Sequence, residues 1–174
     1  MNMMTTAARE EGRRAVSARL AGLHEDLLGL FAERKQAPQS RRRGALQRQL
    51  LLGLDLMGKI EEQVVLPALH EAVPQQAAAV RQAGGELELM RDLSLLATQT
   101  HTDNREMTLA VLEGLALLHF TRLLELLAGA PEDGAEWVQV DEEIDGLLGR
   151  WRREVRTQGG VEDEDRDPVG LPPR

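Results

Sequence analysis

The chain has 174 residues and no cysteine, which excludes a disulfide framework, a thiolate metal site and a cysteine nucleophile. Hydrophobic residues make up 42% of the sequence and charged residues 29%, values typical of a globular protein, and the length suits one domain. Its formal net charge of -8 provides no positive field to attract phosphate backbones, so nucleic acid is not an expected partner.

The first two helices follow from the spacing of apolar residues. A stripe with steps of three and four predicts a helix over about residues 11 to 35, and Ser40 is suited to cap the next one. The second helix is predicted over about residues 41 to 72. Pro67 lies inside it and should bend it, because proline offers no N–H to the carbonyl four residues earlier.

Three further helices complete the predicted fold. The third is expected over about residues 75 to 100, with irregular early turns caused by Gly84 and Gly85. The fourth should begin with a capping box formed by Asp103 and Glu106 and stop near residues 129 to 131. A fifth helix is predicted over about residues 140 to 156, and its acidic first turn suits the helix dipole.

No alternating strand pattern occurs in the sequence, so the fold class is all-α. Four long helices with short connections predict an antiparallel up-and-down four-helix bundle, with an additional C-terminal helix across one side or end. We expect residues 1–10 to form a flexible N-terminus, 11–156 the bundle, and 157–174 a disordered acidic tail.

The location is expected to be cytoplasmic, without a membrane partner. The N-terminus lacks the apolar run of a secretory signal, and no uninterrupted apolar stretch of about 18 residues is long enough to span a bilayer. The fourth helix is rich in Leu but contains Glu113, Arg122 and Glu125, so it is interpreted as a core helix.

Glu61 is the residue that the helical pattern does not explain. It shares the apolar face of the second helix with Leu54, Met57 and Val64. A carboxylate on such a face must be protonated, hydrogen-bonded, paired with a cation or bound to a metal, since an isolated buried charge is too costly. Its neighbour Glu62 lies about 100 degrees round the helix and is expected at the surface.

Two of the four histidines are placed to be the partners of Glu61. His24 lies within the apolar stripe of the first helix and His119 within that of the fourth. His70 and His101 are expected to face solvent. Facing helices of four-helix bundles often hold a metal with inward His and Glu, although the same side chains can also form a hydrogen-bonded cluster.

The segment IEEQVVLPAL, at residues 60–69, places a Glu pair and Pro67 in a fixed register. With this segment as its most specific piece, the chain resembles the hemerythrin-like, or HHE, family of cation-binding four-helix bundles over roughly residues 15 to 128. The resemblance implies inward histidines and carboxylates that hold a non-haem iron pair or a single metal, for oxygen binding, iron handling, or redox and nitric oxide sensing. Among the implied metal ligands, His24, Glu61 and His119 keep the required residue type.

The sequence departs from the family at four implied ligand positions. Imidazoles or carboxylates are expected there, and the chain has Met57, Leu87, Leu123 and Leu124. Aliphatic side chains donate no lone pair, and a thioether suits Cu(I) rather than iron or zinc. Three remaining ligands cannot assemble two bridged metals, so no cofactor is expected, with iron or another single divalent metal as the alternative.

The sequence therefore supports three functional hypotheses. The first is a degenerate hemerythrin-like bundle that has lost the di-iron centre and acts as a non-enzymatic binding or regulatory module. The second is a mononuclear Fe or Zn protein that senses oxygen, nitric oxide or redox state through the same three residues and water. The third is a structural or interaction protein that works as a homodimer, supported by Trp137 and Trp151 because Trp is favoured at interfaces. A protein partner other than a second copy also remains open.

Overall fold

The computed structural model describes residues 6–38, 41–100, 102–133 and 135–158, and it is helical almost throughout. The α-helices are α1 (Thr6–Gln36), α2 (Arg41–Ile60), α3 (Leu66–Ala72), α4 (Ala77–Gln99), α5 (Thr102–Gly129) and α6 (Trp137–Gln158). A π-helical turn, Glu61–Val65, joins α2 to α3, and a 3₁₀ turn, Pro74–Gln76, precedes α4. No strand occurs among these residues, which confirms the all-α class.

The predicted second helix is continuous but contains the π-helical turn. Ile60 and Val65 both keep right-handed helical backbone angles, and the N–H of Leu66 donates to the carbonyl of Glu61, five residues earlier. Pro67 then stands in the first turn of α3, where its missing N–H is tolerated. The irregularity expected at Pro67 is therefore a π-helical turn just before it, a feature frequent at functional sites.

One detail of the predicted helices was wrong. Gly84 and Gly85 lie inside the regular helix α4, because packing against α3 outweighs their low propensity; a Cβ at Gly84 would lie 3.9 Å from Leu66. Residues 6–10 and 157–158, expected in the flexible N-terminus and in the tail, belong to α1 and α6. The N-cap at Ser40, the side chain of Asp103 in the capping box, and the predicted character of residues 1–5 and 159–174 fall outside what the structure describes.

Charged side chains fix the relative direction of α1 and α5. Arg13 donates to the carbonyl of Leu127 at 3.1 Å, and Arg34 donates to Glu106 at 3.1 Å. Because the start of α1 meets the end of α5 and the reverse, the two helices run antiparallel. Glu106 is thus engaged by a buried arginine of another helix.

Helix α6 packs mainly on α1 and buries both tryptophans. Arg19 of α1 donates to both oxygens of Asp141, at 2.7 and 3.1 Å. The Nε1 of Trp137 donates to the carbonyl of Pro131 at 3.2 Å. Trp137 and Trp151 therefore belong to the core, and using them as evidence for a docking surface was wrong.

Gly12 marks the closest approach of α1 to α6, and it supplies a test of this packing. A Cβ here would lie 2.8 Å from the backbone nitrogen of Val138 and 2.9 Å from its Cγ2. We expect Gly12→Ala to lower the free energy of unfolding by about 1–3 kcal/mol, because the helices must separate to admit the methyl group.

The matched control is Gly22→Ala, at a position where a Cβ meets nothing within 4 Å. That variant should raise the free energy of unfolding by about 0.4–1 kcal/mol, since it reduces the freedom of the unfolded chain. Urea unfolding followed by circular dichroism at 222 nm measures both variants. Equal effects at the two positions would contradict the close approach.

Helix α5 is long and apolar enough over Asn104–Gly129 to cross a membrane by length and composition, with a mean hydropathy of 1.4 in its apolar window. Of that window 39% is buried, and a core helix passes the same test. Glu113 pairs with Lys35 at 2.5 Å and Arg122 pairs with Glu86, so two charges of this helix have partners on other helices.

Candidate functional site

The three side chains selected from the sequence meet in the interior. Nε2 of His24 lies 3.3 Å from Oε1 of Glu61, and Nε2 of His119 lies 2.6 Å from Oε2 of the same carboxylate. Each carboxylate oxygen therefore faces a different imidazole. His24 is 3% exposed and the other two residues are 0% exposed, so these contacts replace hydrogen bonds to water.

The π-helical turn places Glu61 in this position. Glu61 is its first residue and is buried together with Val64 and Val65, whereas Glu62 and Gln63 are exposed. Because one turn of π-helix contains an additional residue, it changes which side chains face inward after α2.

Glu62 occupies the surface position that the sequence predicted. It pairs there with Arg91 at 2.6 Å, and both side chains are more than half exposed. The two adjacent carboxylates of the motif thus have different environments, one with imidazoles in the interior and one with a guanidinium at the surface.

Phe120 of α5 packs against both imidazoles. Its ring lies parallel to that of His24, with centroids 3.9 Å apart and an angle of 6° between the planes. The ring of His119 meets it edge-on, at 5.9 Å and 60°. Aromatic pairs of this kind contribute about 0.5–1.5 kcal/mol beyond the burial of their area. The stack restricts rotation of the His24 ring and keeps its Nε2 towards Glu61.

Glu86 of α4 extends the cluster, and the sequence reasoning did not include it. Its Oε2 lies 3.4 Å from Nδ1 of His119, and its other oxygen accepts from Arg122. A signal was present, because Glu86 directly precedes Leu87, one of the four implied ligand positions. Carboxylate and cationic groups thus alternate in a row that runs from Glu61 in the interior through His119 and Glu86 to the partly exposed Arg122.

The electrostatics favour an ionic pair at the centre. Burial by itself would raise the pKa of Glu61, but the hydrogen bonds from His119 and His24 lower this pKa below its ordinary value. Burial likewise would lower the pKa of His119, but its contacts with Glu61 and Glu86 raise this pKa above its ordinary value. Both shifts favour the charged forms, so carboxylate and imidazolium stabilise each other.

The second nitrogen of each imidazole is less well satisfied. Nδ1 of His24 and Nδ1 of His119 are buried and make no hydrogen bond to the part of the chain that the structure describes. The nearest acceptor for His119 is Oε2 of Glu86, whose 3.4 Å separation is long for a hydrogen bond. The cluster therefore has unused hydrogen-bonding capacity on its α4 side.

The donor set does not fit a carboxylate-bridged metal pair. Met57, Leu87 and Leu123 are buried where further nitrogen or oxygen ligands would be needed. Both oxygens of Glu61 already face an imidazole. As they are arranged, the described residues contain no group of three or more His, Asp or Glu side chains in metal-binding geometry.

The other two histidines do not join the cluster. His70 is exposed near the end of α3, as expected, and His101 lies outside the described residues.

Comparison with protein-family models, curated proteins and solved structures finds no match to this chain. The hemerythrin-like resemblance therefore depends on the sequence motifs alone.

Proposed function

We propose that this chain is a degenerate hemerythrin-like four-helix bundle in which a hydrogen-bonded cluster of His24, Glu61 and His119 replaces the di-iron centre. It acts as a non-enzymatic binding or regulatory module. One observation carries the proposal: each oxygen of the Glu61 carboxylate is engaged by one imidazole nitrogen. In a bridged metal pair those oxygens and nitrogens would instead donate their lone pairs to metal ions.

The helix contacts support the bundle architecture. Side chains of the cluster come from α1, the π-helical turn, α4 and α5, so four helices contribute to one interior site. Helix α4 packs against α5 and α2, and α1 packs against α2 and α5. This pattern is that of four helices around a common core, with α6 as an addition on α1.

We infer the absence of catalysis from the burial of the cluster, which keeps a substrate out of reach of its side chains. Glu61 and His119 are fully buried, and Phe120 covers His24. A general acid or base must come within hydrogen-bond reach of its substrate. No substrate atom can do so here without displacing packed side chains, so the cluster is assigned to fixing the interior rather than to turnover.

A buried ionic cluster is an inefficient source of stability, because well-packed apolar side chains of similar volume often stabilise a protein equally well. The cluster instead fixes how the helices that carry its side chains are arranged. Each imidazole reaches Glu61 only when α1, the π-helical turn and α5 hold one register. We assign the cluster this role, which gives the bundle a fixed outer surface for a partner.

A mononuclear metal site is the second candidate function, and one observation favours it. His119 lies between two carboxylates, with Nε2 on Glu61 and Nδ1 near Glu86. Metal-bound histidines commonly have a carboxylate on their second nitrogen, which orients the ring. His24, Glu61 and His119 with one water would complete a four-coordinate site.

Metal content distinguishes the two functions. For protein purified without chelators, incubated anaerobically with Fe(II) or Zn(II) and, in the case of iron, then exposed to air, we expect substoichiometric metal and no absorption band of an oxo-bridged iron pair. Elemental analysis by mass spectrometry measures the ratio of metal to chain, with His70→Ala as the control variant because His70 is exposed.

Two results would contradict the proposal. An iron pair with an oxo-bridged spectrum would show that the di-iron centre is retained. One metal per chain that His24→Ala and His119→Ala each abolish, and that His70→Ala retains, would establish the mononuclear site instead.

A further inference from the structure

Helices α4 and α5 present an apolar surface that the described part of the chain leaves uncovered. It consists of Leu89 and Leu96 on α4 and of Met107, Val111 and Leu118 on α5, each between 43% and 64% exposed. We call this surface the α4–α5 face. Scattered exposed apolar residues are ordinary, but contiguous ones mark interaction surfaces.

The five side chains are contiguous because of helical spacing. Met107, Val111 and Leu118 follow each other at steps of four and seven, and Leu89 and Leu96 are seven apart, so each set forms one stripe. The ion pair between Glu86 and Arg122 joins the two helices. Leu89 comes three residues after Glu86, and Leu118 comes four residues before Arg122, so the two stripes begin one turn from the same ion pair and run side by side.

None of the exposed residues of α5 between Met107 and Thr121 is charged. The exposed residues at positions 110, 111, 114, 117 and 118 are Ala, Val, Gly, Leu and Leu. A chain with a net charge of -8 repels its own copies over most of its surface. An uncharged stripe avoids this repulsion and offers nothing to select a basic or acidic partner, so a second identical stripe is its best electrostatic complement.

Gly114 makes a depression in the middle of this stripe. It lies three residues after Val111 and four before Leu118, and a Cβ there would meet nothing within 4 Å. Glycine inside a helix costs about 1 kcal/mol relative to alanine. No contact of Gly114 in the described residues offsets that cost. The gap between two large side chains is the shape into which a ridge from another helix packs.

The size of the face fits a dimer. Five half-exposed large side chains, with half-buried Leu93 and Leu115 between them, give roughly 500 Å² of apolar surface, near the upper end of the ~300–600 Å² patches on monomers. With a polar rim, such a patch approaches the roughly 800 Å² that each partner buries in a stable interface.

We propose that the α4–α5 face is the contact surface of a symmetric homodimer, in which the same face of a second copy packs against it. A twofold interface uses one self-complementary patch on both subunits, which an uncharged stripe with ridges and a depression provides. This inference goes beyond the proposed function and is independent of the buried cluster, since none of its residues contacts Glu61.

Sedimentation velocity over a concentration series tests the proposal. Wild-type protein should sediment as a dimer, and Leu118→Glu should shift it to the monomer because two carboxylates would then be buried in the interface. Leu52→Glu is the matched control: Leu52 is 50% exposed, as Leu118 is 52% exposed, but lies on α2 outside the face. It should remain dimeric.

Gly114→Gln provides a variant whose monomer cannot misfold through overpacking, because the space at Gly114 is open. It should keep the helical circular dichroism spectrum of the wild type and still lose the dimer. Gly29→Gln, at an equally open position on α1, should keep it.

Three outcomes would overturn the proposal. Dimers that survive both Leu118→Glu and Gly114→Gln would place the interface elsewhere. A monomeric wild type that floats with neutral phosphatidylcholine vesicles would assign the face to a lipid surface. A monomeric wild type that does not float would indicate that the face binds a different protein.

Discussion

Glu61→Ala is expected to lower the free energy of unfolding by about 3–5 kcal/mol, because it leaves buried His24 and His119 without their shared acceptor. Domains are stable by only about 5–15 kcal/mol, so this single change brings the protein close to unfolding. Urea unfolding followed by circular dichroism measures the loss. Glu62→Ala is the matched control, since the exposed pair of Glu62 with Arg91 contributes at most about 1 kcal/mol.

Replacing the whole cluster separates two quantities. One is the loss of stability caused by a buried group without a partner, and the other is the net contribution of the cluster to the free energy of unfolding. The triple variant His24→Leu, Glu61→Leu, His119→Leu removes all three members of the central cluster, so none of them remains buried and unpaired. It should therefore be more stable than Glu61→Ala. A triple variant less stable than the single one, or equal losses for Glu61→Ala and Glu62→Ala, would contradict this explanation.

His119→Leu is expected to cost about 3 kcal/mol or more, because the Glu61 carboxylate then keeps only the imidazole of His24. It should also change how stability depends on pH. The pKa of His119 is raised in the folded protein, so its contribution is fully present below the ordinary value of 6.5 and is lost as pH rises through the raised pKa. The variant should lack this decline at alkaline pH.

Glu61 produces the opposite dependence. Its pKa is lowered in the folded protein, so its contribution is present above the ordinary value of 4.5 and is lost as pH falls through the lowered pKa. Stability from the pair should thus be greatest between these two ordinary values. Unfolding free energies measured across pH for wild type, His119→Leu and the exposed control His70→Leu test this. The same alkaline decline in all three proteins would contradict the assignment to His119.

Local sequence patterns predicted most of the helices and the centre of the candidate site. Apolar periodicity put His24 and His119 on inward faces, and the burial requirement of a carboxylate pointed to Glu61. These inferences worked because they depend on which face a residue occupies, and helical spacing alone determines that.

The parts that could not be predicted depend on contacts between distant residues. Arg34 with Glu106 and Arg19 with Asp141 bring together residues more than 70 positions apart, and no local pattern announces such pairs. Glu86 was missed for the same reason, since its contacts with His119 and Arg122 join α4 to α5.

Function is less accessible than fold, because one fold supports many activities and the difference lies in a few side chains. The tryptophans illustrate this. Their residue type suggested an interface, yet Trp137 and Trp151 fill the space between α6 and the rest of the core. The exposed apolar residues of α5 were instead included in a core helix, since periodicity alone does not reveal a second apolar stripe on the opposite side of a helix.

Nitrogen-15 and proton NMR of the imidazole groups detects the hydrogen bond between His119 and Glu61. In metal-free protein near pH 6, we expect a slowly exchanging Nε2–H on His119, shifted downfield by its hydrogen bond to Glu61, and loss of that signal in Glu61→Gln. An unprotonated Nε2 on both buried histidines, or a spectrum that Glu61→Gln leaves unchanged, would contradict this expectation.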